Sequence, residues 1–189
     1  TIVGGPDDVD ALHARMMPAA RPGTLFLDMT TAAPRTAAAS ATQAARYRVA
    51  VLDAPVTGGV AGAQRGTLTS FVGGDADALE RAGPLLAAFS QRIVPCGAAG
   101  SGYRVKLVNQ TMIGGVLLGL ADGARLARAA GIEAPALQSA LAGGTAGGFL
   151  FEAYLGRMMS GAGPVSFSLG LLRKDLRLAR EEAHELGLQ

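Results

Sequence analysis

The chain has 189 residues, 49% of them hydrophobic and only 5% aromatic, enough for one large or two small domains built on an aliphatic core. A net charge of +2, without a basic stripe or interleaved aromatics, excludes nucleic acid as the main partner. The single cysteine, Cys96, excludes an intrachain disulfide and suits a cytoplasmic protein, and the two distant histidines, His13 and His184, form no metal-ligand cluster. The most apolar run, Met112 to Ala121, is shorter than the roughly 20 residues that span a bilayer, so no membrane segment is expected.

In the first half, strand and helix patterns alternate. Thr1-Ile-Val reads as the end of a strand, and Asp7-Asp8 as the cap of a helix over Val9 to Met17. Thr24 to Asp28 reads as a strand, and Pro34 opens an alanine-rich helix to about Tyr47. Further strands are predicted at Val49–Leu52, Thr67–Val72 and Arg92–Pro95, with a helix over Ala76–Phe89 between the last two. This alternation, with apolar strands, predicts a largely parallel sheet covered by helices.

From Ser101 onward the pattern is helical only. A long helix is predicted from Ser101 to about Ala130, then helices at Ala134–Ala142, Phe149–Met159 and Ser168–Leu188. The fold class is therefore α/β followed by all-α, with domains at 1–98 and 99–189. Thr1 begins inside a strand pattern and Gln189 ends inside a helical one, so the sequence reads as an internal piece of a longer protein.

Four segments carry candidate chemistry. Asp28-Met-Thr30-Thr31-Ala-Ala-Pro34 follows a strand, and its hydroxyls read either as helix caps or as ligand contacts at the sheet's carboxyl edge. Asp53-Ala-Pro-Val-Thr57-Gly58-Gly59 also follows a strand, and its peptides form a candidate cradle for a carboxylate. Gly97-Ala-Ala-Gly100-Ser-Gly102-Tyr-Arg-Val-Lys106-Leu-Val-Asn109-Gln110 leads a glycine loop into the long helix. It places an amine one turn before two amides on one helix face. Only two of the 17 basic residues, Lys106 and Lys174, are lysine. A lysine kept in an arginine-rich chain suits an amine that must release its proton; the plain alternative is a snorkelling side chain. Phe167 to Asp175 carries the second lysine, beside Asp175. There is no G-x-G-x-x-G, no Walker-type phosphate loop and no G-x-S-x-G elbow.

In this order and spacing the four segments resemble the β-hydroxyacid dehydrogenase family, which includes 3-hydroxyisobutyrate dehydrogenase and tartronate semialdehyde reductase. Asp28 to Pro34 resembles its D-x-S-T-x-x-P segment, and Asp53 to Gly59 its D-A-P-V-S-G-G loop, with Thr57 in place of serine. Gly97 to Asn109 matches G-x-x-G-x-G-x-x-x-K-x-x-N without a gap. The resemblance implies that Lys106 is the catalytic lysine and that Thr57, Gly58 and Gly59 hold a substrate carboxylate. It implies that Asn109 or Gln110 orients the substrate. It also implies that Thr31 and Lys174, with Phe167 and Asp175 of the late segment, belong to an NAD or NADP site. The Asn-Gln pair resembles the tartronate semialdehyde reductase branch more than the Asn-Asn pair common elsewhere.

The implied fold is the C-terminal part of a Rossmann-type domain joined by a long helix to a helical domain. Through that helical domain a homodimer or tetramer would form. The implied activity interconverts a small 3-hydroxy acid and its carbonyl product, with this piece alone weakly active. Two alternatives keep the fold: an imine reductase, and a non-catalytic binding or scaffolding relative. Both usually replace the lysine, so Lys106 counts against them.

Overall fold

The computed structural model describes residues 1–163 and 167–188. Five strands form one sheet: β1 (Leu25–Asp28), β2 (Ala50–Asp53), β3 (Val56–Thr57), β4 (Leu68–Gly73) and β5 (Ser90–Gly97). The order is β1-β2-β4-β3, with β5 also paired to β4. β1 with β2 and β4 with β5 are parallel, whereas β4 runs antiparallel to β2 and β3. Most paired residues are thus parallel, as expected, but β4 makes the sheet a mixed one. A parallel neighbour needs a crossover of a dozen or more residues, and the link from Thr57 to Leu68 holds only a short helix, α3 (Gly59–Arg65). The chain therefore returns antiparallel. Neither β3 nor α3 is predicted by periodicity, because both are shorter than the windows that reveal it.

Successive strand residues face opposite sides of a sheet, and β1 shows both sides in use. Leu27 joins Leu52, Ala54 and Val72 beneath Ala78, Ala82 and Leu86 of α4 (Ala76–Ala87). Phe26 turns the other way, onto Met17, Val49 and Ala44 of α2 (Pro34–Tyr47). With a helix over each face, an apolar strand gains burial whichever way its residues point.

Two chain starts differ from expectation. Thr1–Val3 is not a strand, yet the Thr1 amino group donates to Leu27 O and Met29 N–H donates to Thr1 O, each at 2.7 Å, the pattern of one parallel rung. Helix α1 (Pro6–Met16) begins at proline, with Gly5 as its cap and no side-chain cap bond. Proline's missing N–H costs nothing in the first turn. Asp7 and Asp8 sit inside that turn, where they complement the helix dipole instead of capping it. By contrast Asp75 caps α4 as a side chain, accepting from Ala78 N–H at 3.0 Å.

The rest is helical: α5 (Ser101–Ala129), α6 (Ala134–Leu141), α7 (Phe149–Ser160) and α8 (Leu169–Glu185). The chain forms two compact units, one of residues 1–110 with 169–189 and one of residues 111–168. In the first, Leu178 of α8 packs with Ala33 and with Leu107 of α5. In the second, Ala124 of α5 packs with Phe151 and Leu155 of α7, flanked by Leu120 and Leu137. Helix α5 supplies residues to both units. Among the described residues no helix is long and apolar enough to cross a membrane.

His13 of α1 is buried, its Nδ1 sharing a 2.9 Å hydrogen bond with Ser40 Oγ and its ring edge-on to Phe26. Its Nε2 has no hydrogen-bond partner among the described residues. Burial holds its pKa below the ordinary 6.5, against a smaller opposing pull from Asp28. The unfolded chain therefore takes up the proton first, and this contribution to stability is present above pH 6.5 and lost as pH falls through the folded value. Urea unfolding should show a lower midpoint at pH 5 than at pH 7.5, and His13→Gln should flatten that part of the dependence.

Candidate active site

The site begins at the ends of β1 and β2, where the register pairs Asp28 with Asp53. Both are buried, and each holds the first turn of α5 in a different way. The Asp53 carboxylate accepts from Gly100 N–H at 2.8 Å and from Tyr103 N–H at 2.9 Å. It satisfies donors that a helix start leaves without intrahelical partners. The Asp28 carboxylate accepts from the Tyr103 hydroxyl at 2.7 Å and from Thr30 N–H at 3.0 Å. Burial, then the Asp28 charge, drives the Tyr103 hydroxyl pKa far upward, so it serves as a proton donor to Asp28. The approach is close: a Cβ on Gly102 would lie 2.4 Å from Phe71 O and 2.7 Å from Asp53 O. Only glycine fits there.

One turn on, α5 buries a stripe at Tyr103, Lys106, Leu107 and Gln110, exposed by 1%, 8%, 2% and 2%. The spacing is that of an inward helix face, yet two of its four positions are an amine and an amide. Lys106 Nζ forms no hydrogen bond or ion pair with any described residue. Burial lowers its pKa from 10.5 to about 8; Asp175 pulls it up and Lys174 pushes it further down.

Helix α8 brings both of those charges. Lys174 Nζ donates to Thr31 O at 2.6 Å and lies 2.8 Å from Asp175 Oδ1. Asp175 Oδ1 accepts no aligned hydrogen bond from the described residues, but at that distance the ammonium partners it electrostatically. Asp175 Oδ2 accepts from Gln110 Nε2 at 2.7 Å, and Gln110 Oε1 accepts from Asn109 Nδ2 at 3.0 Å. Thr31, Lys174, Asp175, Gln110 and Asn109 thus form one bonded series, and Lys106, on the same helix as the two amides, feels the charges of Asp175 and Lys174 without bonding to either. The helix is anchored beyond the site by Glu182, nearly buried, which accepts from Arg104 Nε at 2.6 Å.

Thr57, Gly58 and Gly59 lie in the same unit, at the end of β3 and the start of α3. Gly58 and Gly59 adopt φ of 124° and 64°, conformations that favour glycine, and both are exposed. No described hydrogen bond or ion pair links them to the Lys106 group. Phe167 is half-buried and belongs to the second unit. Sequence reading left Asp28, Asp53 and Tyr103 without roles. Their contacts span 47 to 75 residues, and the only local signal was an aspartate at the end of each of two strands.

Residues 1–97 match the model of the NAD binding domain of 6-phosphogluconate dehydrogenase, and residues 100–189 match that of the NAD-binding domain of NADP-dependent 3-hydroxyisobutyrate dehydrogenase. The chain belongs to the β-hydroxyacid dehydrogenase family. It is 41% identical over 184 residues to an NAD-dependent L-serine dehydrogenase of Pseudomonas aeruginosa, covering 93% of this chain and 60% of that protein. It is similar to the structure of Mycobacterium tuberculosis 3-hydroxyisobutyrate dehydrogenase with L-serine, at TM-score 0.85 and 31% identity, covering 100% of this chain and 67% of the other. A Salmonella typhimurium 3-hydroxyisobutyrate dehydrogenase shares the fold at TM-score 0.91 and 24% identity, over 100% of this chain and 67% of that one. The chain spans 57–66% of the length of these and other curated relatives it matches. The expected fold and the NAD or NADP cofactor class agree with these matches.

Tyr103→Phe removes one partner of a buried carboxylate while leaving the ring. An unmet buried acceptor costs about 1–3 kcal/mol. Chemical denaturation should register a loss of that size with the denaturant slope unchanged.

Proposed function

We propose that this chain carries the substrate-binding and proton-transfer half of an NAD- or NADP-dependent dehydrogenase for a small 3-hydroxy acid, with Lys106 as general acid/base. The observation that carries the reading is a side chain only 8% exposed whose amine bonds to none of the described residues, in surroundings that lower its pKa to about 8. A ligand hydroxyl can pair with that amine.

The nicotinamide end of the cofactor fits beside Thr31 and Lys174, at the carboxyl end of β1 where dinucleotide sites lie in open α/β sheets. Bound there, the cofactor supplies the hydride acceptor. The chain's residues do the rest. Thr57 and the peptides of Gly58 and Gly59 hold the substrate carboxylate. Asn109 and Gln110 fix the amide side of the pocket. Lys106, neutral, takes the hydroxyl proton in oxidation and, as ammonium, returns it in reduction. Asp175 keeps Lys174 in place. A cofactor contact from Phe167 rests on the family pattern alone.

The relatives favour an acid of serine or 3-hydroxyisobutyrate size, since one is named an L-serine dehydrogenase and another was solved with L-serine; glycerate belongs to the same class. Self-association through the helical unit is part of the reading. Met112, Leu118 and Leu126 of α5 are each about two-thirds exposed or more, and a monomeric elution profile of the full-length enzyme would count against it.

Absorbance at 340 nm, with each cofactor and a panel of 3-hydroxy acids, tests the reaction in the full-length enzyme. Lys106→Arg should abolish turnover while substrate still binds, because guanidinium cannot release a proton at these pH values. Near-native turnover in that variant would overturn the assignment. A second check uses pH. Oxidation needs the neutral amine, so kcat/KM should rise with pH and level off above about 8, and reduction should show the opposite slope. The Lys174 charge disfavours protonation of Lys106. Lys174→Met should therefore move the oxidation midpoint to higher pH; movement to lower pH would contradict the electrostatic account.

A further inference from the structure

We infer that Gln110 is a positioning residue, not a substrate contact: it couples the Asp175 carboxylate on α8 to the Asn109 amide, so that Asn109 Oδ1 is the acceptor presented to the ligand. The nature of that ligand, a 3-hydroxy acid, rests on the function proposed above; the coupling itself rests only on the geometry.

Proton bookkeeping carries the argument. The Asp175 carboxylate is ion-paired with Lys174 and has no proton to give. The Gln110 atom 2.7 Å from it must therefore be the NH2 group. That choice turns Gln110 Oε1 towards Asn109, so the Asn109 atom 3.0 Å away must also be an NH2 group. One carboxylate thus sets the orientation of two amides in series. The last atom in the series, Asn109 Oδ1, has no partner among the described residues.

Burial separates the two amides. Gln110 is 2% exposed, with each end of its amide engaged, whereas Asn109 is half-buried with its oxygen unspent. Side-chain length explains why position 110 does this work. Glutamine carries one methylene more than asparagine, and here that reach takes the amide from α5 to α8. A free acceptor one turn from the Lys106 amine suits a ligand that brings a hydrogen-bond donor, which the hydroxyl or 2-amino group of a 3-hydroxy acid supplies.

The experiment has a kinetic and a spectroscopic arm. In the full-length enzyme, kcat and KM are measured for Gln110→Asn, Asn109→Ala and the double variant, with melting temperature as a folding control. Gln110→Asn shortens the bridge without adding a charge. Misplacing a substrate-facing group by about 1 Å costs up to roughly 100-fold, so each single variant should lose at least about tenfold in kcat/KM. Because Gln110 acts only through Asn109, the double variant should be no worse than Asn109→Ala. Losses that multiply would show Gln110 acting on the substrate independently and would overturn the inference. So would Gln110→Asn turning over at the native rate.

The spectroscopic arm follows the side-chain amide signals of Asn109 and Gln110 by 1H–15N NMR in the ligand-free protein. Asp175→Asn should shift both pairs. A shift confined to Gln110 breaks the series and rejects the coupling. This arm needs no turnover. A native enzyme inactive with every 3-hydroxy acid, in which both amides still respond to Asp175→Asn, would reject the proposed reaction and leave the coupling standing.

Discussion

The site depends on one interaction, the Asp53 carboxylate accepting from the backbone of Gly100 and Tyr103 at the start of α5. The first N–H groups of a helix lack intrahelical acceptors, and the helix start carries partial positive charge. A buried carboxylate at a strand end answers both needs. Its own cost is visible: burial raises the Asp53 pKa, while backbone hydrogen bonds from the Gly100 and Tyr103 region pull it down. The contact requires backbone against backbone, hence Gly102 and Gly73; a Cβ on Gly73 would lie 2.7 Å from both Asp53 oxygens. Every residue farther along the first unit's part of α5 inherits its position from this joint.

Lys106 inherits most. Three groups decide its protonation, and their order matters. Burial comes first and favours the neutral amine; Asp175 opposes it; Lys174 reinforces it. The result, from 10.5 to about 8, corresponds to roughly 3 kcal/mol against the charged form. A lone carboxylate near the amine would have worked against burial and kept the ammonium charged. Because Asp175 is already ion-paired with Lys174 at 2.8 Å, much of its charge is spent there. The second lysine of the chain therefore bears on the first without touching it.

The fold was readable where periodicity is long. The helix spans at 34–47 and 101–129 and the strands at 25–28 and 68–73 agree with their patterns to within a residue or two. Expectation failed where the decisive partner is distant or the element is short. Asp7 and Asp8 resemble caps in sequence, but Pro6 can occupy the first helical position and so starts the helix earlier. The mixed sheet turns on β3, two residues long. In the site, Lys106 and the amides were visible from spacing within one helix. Asp28, Asp53 and Tyr103 were not, because a capping bond across 47 residues leaves no local trace. Gln110 was singled out from the same spacing, but its bond to Asp175 crosses 65 residues and leaves no local trace either.

The buried stripe of α5 shows how stability and chemistry share one helix face. Tyr103 and Leu107 pack there as any inward residues would, against Ala32 and Ala37 in one case and Ala33 and Leu178 in the other. Lys106 and Gln110 occupy positions where leucine would contribute about 1.5–3 kcal/mol by burial. Gln110 recovers part of that loss through its two hydrogen bonds, and Asn109 is oriented as a consequence. Lys106 makes no such bond with any described residue. In this it differs from Lys174, whose ammonium already holds two partners.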